Sequence, residues 1–272
     1  MAELVFLKLG GSLITDKTQP YTVRPEKLTA LAKEIHSALS STLNVHLVLG
    51  HGSGSFGHYA VKEHAPHLLS PQFQEKWAEK ERRGFAEVWY RASQLNRYVL
   101  EVLHEAGLAA MSIQPSASIV SKNGVIEHWE LSPLESALQM GIVPVIYGDV
   151  AFDSLRGGAV LSTEALMFYL ARHLQPKRIL LAGLEAAVWA DFPARRQRVE
   201  KVTPSSYKEL ANKVGASHGV DVTGGMKSKV EEMLSLVERV PDLNVQIFSG
   251  EELGNVRRVL TGEVLGTLIE GD

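Results

Sequence analysis

Five short apolar runs in this chain stop on glycine or on a small polar residue. They are KLGGS (8–12), VLGHGSG (48–54), VIYGD (145–149), LLAG (180–183) and IFSG (247–250). Runs of this length, rich in Val, Ile and Leu and ended by turn residues, read as buried strands. Between them lie segments with apolar residues at helical spacing, such as Pro25–Leu39, where Leu28, Leu31, Ala32, Ile35 and Leu39 share one face. Strand–helix–strand alternation points to a parallel sheet with crossover helices. In such a sheet the carboxyl ends of the strands line one edge, where ligands collect. Glycine at five of those ends leaves that edge open to close approach.

The remaining elements follow from the same patterns. Residues 70–106 read as two helices or one bent helix, with Gly84 inside. A strand is expected over 108–113, a hairpin over 119–129 around Asn123-Gly124, a helix over 132–139 and a strand over 142–147. Residues 153–158 read as a polar turn, 162–174 as a helix and 178–182 as a strand. The polar stretch 191–209 is expected to be looped. A helix opens after Gly224-Gly225, a strand follows at 245–248, and the tail 259–270 reads as a hairpin or a sheet edge. A lobe boundary is placed near residue 175.

Composition narrows the function. Cysteine is absent, which removes disulfides, thiolate nucleophiles and Cys-ligated zinc. The net charge of -3 gives no field for nucleic acid, and no apolar run of 18 residues is present to span a membrane. MAELVFLKLGG lacks the basic region and long apolar stretch of a leader, so it is expected to be a first strand. His58, His64 and His67 do not match a strong metal-ligand spacing, so no fixed metal site is expected.

The glycine stretch GHGSGSFGH (50–58) contains G-x-G-x-x-G, but helix follows it for some fifty residues where a dinucleotide fold needs a second strand. It is not a Walker A loop either, because His58-Tyr59 stand where Lys-Ser should be. What remains is a bed of backbone amides suited to anionic oxygens, at the start of a helix. KLGGS is a second bed, with Lys8 inside an apolar strand. A buried lysine is costly unless it meets negative charge, and alternation puts it opposite Leu7 and Leu9, so it is expected to face a cleft. Lys17 follows in LITDKTQP. TGGMKSK places Lys227 and Lys229 in the first turns of a helix, where the dipole favours acids and a bound anion would accommodate them. Several glycine beds, mobile cations and no evident nucleophile suit phosphoryl transfer, which needs positioning and charge neutralisation.

With these pieces in order, the chain resembles the amino acid kinase superfamily over nearly its whole length, and within it the isopentenyl phosphate kinases. The resemblance rests on KLGGSLITDK (8–17), HGSGSFGH (51–58), SIQPSAS (112–118), VPVIYGDVAFD (143–153) and DVTGGMKSK (221–229). It implies an open α/β/α sandwich around one continuous, mainly parallel sheet. Residues 1–175 would form the acceptor lobe and 176–272 the nucleotide lobe, in a cytoplasmic homodimer. It implies ATP, with Mg2+ carried on the nucleotide, and conversion of isopentenyl phosphate to isopentenyl diphosphate by direct in-line transfer, for isoprenoid synthesis.

By the same resemblance Lys8, Lys17, His58 and Glu164 are catalytic. Lys8, Gly10, Gly11, Lys17, Gly183, Gly225 and Lys229 bind nucleotide. Gly11, Gly52, Gly54, Gly57, His58 and Gly158 serve the acceptor, with Phe85, Val88 and Trp89 as the wall of a short prenyl pocket. Glu164 stands where relatives carry Asp, and GLEAAVW (183–189) puts Ala186 and Ala187 where they carry an acid and a glycine. Alternatives are a fosfomycin-type phosphonate kinase, sharing the glycine–His loop, and a non-catalytic sensor of nucleotide or phosphometabolite.

Overall fold

The computed structural model describes residues 2–41, 45–69, 77–191, 194–208 and 224–272. Among these, eight strands form the main sheet. From edge to edge they run Lys201–Val202, Thr267–Ile269, Asn244–Ser249, Arg178–Gly183, Glu3–Leu9, Val45–His51, Val143–Tyr147 and Ala110–Ser112. Every neighbouring pair is parallel except Thr267–Ile269 against Asn244–Ser249. Glu3–Leu9 lies between the second strand on one side and Arg178–Gly183 on the other. The order reverses about it, which makes its carboxyl end a topological switch point.

The strands are apolar throughout because both faces are covered. Leu7, Leu9, Leu47 and Leu49 pack on Leu28, Leu31 and Ile35 of helix Pro25–Ser41 and on Leu95, Val99 and Leu103 of helix Glu79–Glu105. Phe6, Val48, Ile146, Ile179 and Ile247 pack on Leu166 and Leu170 of helix Thr163–Leu174 and on Val230, Met233 and Leu234 of helix Gly224–Val237. The result is the three-layer α/β/α sandwich. No helix among the described residues is long and apolar enough to cross a membrane.

Beside the main sheet stands a four-stranded one, in the order Val125–Trp129, Ile119–Lys122, Asp149–Asp153, Gly157–Leu161. The Asn-Gly hairpin forms as expected, with positive φ at both residues, 53° at Asn123 and 78° at Gly124. The polar turn after Asp153 closes a second hairpin. Asp153 organises both turns: its carboxylate accepts from the amides of Asn123, Gly124, Leu155 and Arg156 and from the Ser121 hydroxyl. Burial opposes its charge, but these donors outweigh it and bring its pKa down to about 2.

One expectation is corrected. The stretch 191–209 is not simply a loop. Arg198–Val199 pairs with Val188–Trp189, Lys201–Val202 forms the edge of the main sheet, and 204–208 is a helical turn. A two-residue edge strand needs only Val202 inward, too little for a periodic signal. In the long helical block one helix runs from Glu79 to Glu105 through Gly84, while 70–76 lie outside the described residues. Gly84 is there for a close crossing. A Cβ on it would stand 2.0 Å from the carbonyl oxygen of His64, at the end of helix Gly54–His64.

Candidate active site

The site is built at the carboxyl edge, around the end of Glu3–Leu9. Lys8 points to the face of Phe6, away from Leu7 and Leu9, and is buried. Its ammonium meets Glu164 at 2.8 Å, and Lys229 lies 3.8 Å from the same carboxylate oxygen. Glu164 is in the first turn of helix Thr163–Leu174, capped by the Ser162 hydroxyl accepting from the Ala165 amide. The preceding Thr163 hydroxyl donates to the carbonyl of His51, at 2.7 Å, which ties this helix to the glycine loop. Burial disfavours the Glu164 carboxylate, but the ammonium of Lys8, its hydrogen bond and Lys229 together hold its pKa below the ordinary value. Burial, then the charge of Lys8, pulls the Lys229 ammonium down, and Lys17 contributes in the same direction. Two ammonium groups therefore share one carboxylate, which cannot neutralise both, a setting that favours a further anion.

The two glycine beds meet here. Gly54 has φ of +53°, and the Gly11 backbone packs so closely that a Cβ on Gly11 would stand 2.5 Å from the Gly54 nitrogen. Thr15 joins them, its hydroxyl donating to the Gly11 carbonyl and accepting from the Ser55 amide. Not every glycine amide is available to a ligand. Gly10 donates to the carbonyl of Ala182, and Gly52 to that of Leu9. The amides of Gly11 and Ser12 open the helix Gly11–Ile14, where no carbonyl of that helix can reach them. Gly183 ends the neighbouring strand next to Gly10, with open space where its Cβ would be.

Helix Gly54–His64 carries His58 on its exposed side, at the mouth of a cavity of about 370 Å³. Ser53, Gly57, Lys62, Gly148 and Asp149 line its polar end, and Val61, Leu69, Val88, Ala92 and Val160 its apolar walls. The expected residues thus separate. Val88 lines the cavity. Phe85, one turn earlier, instead packs with Trp77 and Phe152, and buried Gly158 sits beneath Trp77 and Phe85. Trp89 is 37% exposed and does not line the cavity. Lys17 is exposed, and Gly225 lies in helix Gly224–Val237; Asp221–Thr223 of that motif fall outside the described residues.

Sequence reasoning assigned no role to two buried groups under the loop. The His51 ring is stacked on Tyr147 at 5.5 Å, and its Nε2 lies 3.2 Å from Asn96 Oδ1; Asn96 in turn donates to Ser112. A single Asn among Ala92, Leu95 and Val99 on an apolar helix face was the available signal. Burial drives the His51 pKa down to about 4, despite its contacts with Gly52 and Asn96. Burial pushes Asp149 up to about 6, partly countered by the Ser116 side chain and by the Val150 and Ser116 amides.

These two shifts oppose each other. As pH falls from 6.5 towards 4, unfolded His51 gains a proton that the folded one resists, so stability is lost. As pH falls from 6 towards 3.8, folded Asp149 gains its proton first, so stability is gained. Asp149→Asn removes the second effect. It is expected to raise stability by ~1–3 kcal/mol at about pH 8, an advantage that vanishes near pH 4, in thermal melts across pH. An unchanged melting temperature at the higher pH would contradict the desolvation of this carboxylate.

A glycine-bedded, lysine-lined switch point in a three-layer sandwich defines a class of phosphoryl-transfer folds, and the chain belongs to the amino acid kinase family, whose model matches residues 3–249. Among its relatives, isopentenyl phosphate kinase of Methanothermobacter thermautotrophicus is 34% identical, covering 98% of this chain and 99% of its own. That of Methanocaldococcus jannaschii is 31% identical, covering 98% of each. A crystal structure of an isopentenyl phosphate kinase matches at a TM-score of 0.80 and 32% identity, over 98% of this chain and 99% of that one.

Proposed function

We propose that this chain transfers the γ-phosphoryl group of ATP to isopentenyl phosphate, giving isopentenyl diphosphate and ADP. The observation that carries the reading is the cavity lined by His58 and the glycine loop on its polar side and by apolar walls elsewhere, with Gly148 of its lining close to Thr163, the residue before Glu164. An acceptor with an anionic head and a short hydrocarbon tail matches both ends. The full-length similarity to isopentenyl phosphate kinases supports the same acceptor.

In this reading His58 donates a hydrogen bond to the acceptor phosphate. Lys8, Lys17 and Lys229 offset the repulsion between two polyanions, and the Gly11 and Ser12 amides hold oxygens between them. Gly52, Gly54 and Gly57 give the loop its close course around the acceptor phosphate. Glu164 holds Lys8 and Lys229 in register, one carboxylate oxygen lying near both. A phosphate monoester is already a nucleophile, so no strong base is needed, and in-line transfer follows from alignment.

Among the described residues no group of three or more His, Asp or Glu side chains is arranged to hold an ion, and Glu164 is engaged by ammonium groups. In this reading Mg2+ would ride on the nucleotide, where it would supply neutralisation of phosphate charge. Residues 1–175 would supply the acceptor side and 176–272 the nucleotide side, with Gly183, Gly225 and Lys229 on the donor. A homodimer and a cytoplasmic location are carried by the resemblance alone.

An acceptor panel tests the reading. Isopentenyl phosphate is expected to exceed fosfomycin in kcat/KM by at least ~100-fold, whereas dimethylallyl phosphate, an isomer of the same size, is turned over within about 10-fold, because the difference is smaller than the whole methylene that is worth ~1–3 kcal/mol. Preference for the phosphonate would move the assignment to the other acceptor class.

A further inference from the structure

Lys17 is assigned to the reacting phosphoryl group, yet its own side chain is exposed and makes no ion pair among the described residues. A long, free lysine is costly to order. Its placement must come from the backbone of the loop that carries it, and that loop is held in an unusual way.

Residues 15–23 form a short return. Thr15 bridges Val23 antiparallel, Asp16 donates its amide to the Thr22 carbonyl, and the Asp16 carboxylate accepts from the Thr18 amide and hydroxyl. The base of the return is tied to the glycine loop by Thr15 and by Ser55, which accepts from the Thr22 amide at 3.2 Å. The tip is tied elsewhere. Tyr59, the residue after His58 on helix Gly54–His64, directs its hydroxyl to the carbonyls of Lys17, at 3.4 Å, and Thr18, at 3.3 Å. Its ring packs edge-on against Tyr21, 6.5 Å between centroids. Tyr21 has φ of +51°, a strained state for a bulky residue, and it is clamped from outside by the Arg91 guanidinium 4.2 Å above its ring. Arg91 is itself held by Glu87 at 2.7 Å. Consecutive residues of one helix therefore face the two parts of the reaction: His58 the acceptor cavity, Tyr59 the loop of Lys17.

We propose that Tyr59 is a positioning residue for Lys17. Through its hydroxyl it fixes the Lys17–Thr18 backbone relative to the helix that bears His58, so that the lysine and the acceptor site keep one spacing. The inference rests on the role given to Lys17 above. Tyr59 does not line the acceptor cavity, and its ring stands edge-on to that of His58 at 6.1 Å between centroids; it acts through the loop. The Lys17 charge contributes to lowering the Lys229 pKa, which agrees with a loop tip on the side of the cation cluster.

The test is a double-mutant cycle of Tyr59→Phe and Lys17→Met, with isopentenyl phosphate and MgATP. Tyr59→Phe keeps the ring and its packing on Tyr21, and removes only the hydroxyl. It is expected to lower kcat by ~3–10-fold, the worth of a modest hydrogen bond, with the acceptor KM within about twofold and the melting temperature unchanged. In the Lys17→Met background the same change should cost nothing more, because the group it positions is gone. Native kcat in Tyr59→Phe, or losses that multiply fully in the double variant, would overturn the proposal. If Lys17→Met alone keeps native kcat, the role of Lys17 falls and the inference with it, a result separable from the other two because it appears in the single variant.

Discussion

Lys8→Met is expected to lower kcat by ~100- to 1000-fold, the typical loss when one preorganised donor to a developing charge is removed. The buried ammonium lies at the switch point, 2.8 Å from Glu164. Methionine fills a similar volume, so the strand and the packing around Phe6 should survive. The side effect falls on Glu164, which loses its close partner and keeps only Lys229 at 3.8 Å. A buried carboxylate deprived of a partner is destabilising. The double variant Lys8→Met with Glu164→Gln should therefore recover stability without recovering turnover. Steady-state kinetics beside thermal melts separates the two effects. Turnover that returns with stability would mean Lys8 serves the fold and not the reaction.

His58→Ala is expected to reduce kcat/KM for isopentenyl phosphate by ~10- to 150-fold, as for a hydrogen bond to a charged group. The KM for ATP should stay within about twofold, since the proposed reading puts the nucleotide on Gly183, Lys229 and the first glycine bed. Stability should hardly change, because His58 is exposed and leaves no buried partner behind. His58→Gln, which can still donate, should retain more activity than alanine. Equal loss for both acceptor and nucleotide would place His58 at the transferred group and not at the acceptor.

The frame of the molecule was legible in the chain because its central strands are short, apolar and ended by glycines, and because Lys8 interrupts one of them on the face away from Leu7 and Leu9. Burial on both faces and a ligand edge follow from those facts alone. The Asn123-Gly124 hairpin was legible for the same local reason, since few other pairs accept positive φ twice. What was not legible depends on contacts distant in sequence. Lys201–Val202 becomes a strand only because Thr267–Ile269 is there to receive it. Asp153 reads as a turn residue, but its five donors come from two turns some thirty residues apart. Phe85, Val88 and Trp89 share a helical stripe, yet only the packing decides that Val88 meets the cavity while Phe85 turns to Trp77. The tie from Tyr59 to Lys17 spans 42 residues and leaves no periodic trace.

Phosphorus NMR of the purified chain with MgATP and isopentenyl phosphate tests the central claim most directly. The reading predicts that the monophosphate signal is replaced by the two coupled signals of a diphosphate ester, one for each ADP formed. An unchanged monophosphate signal, or ADP accompanied by inorganic phosphate, would contradict it.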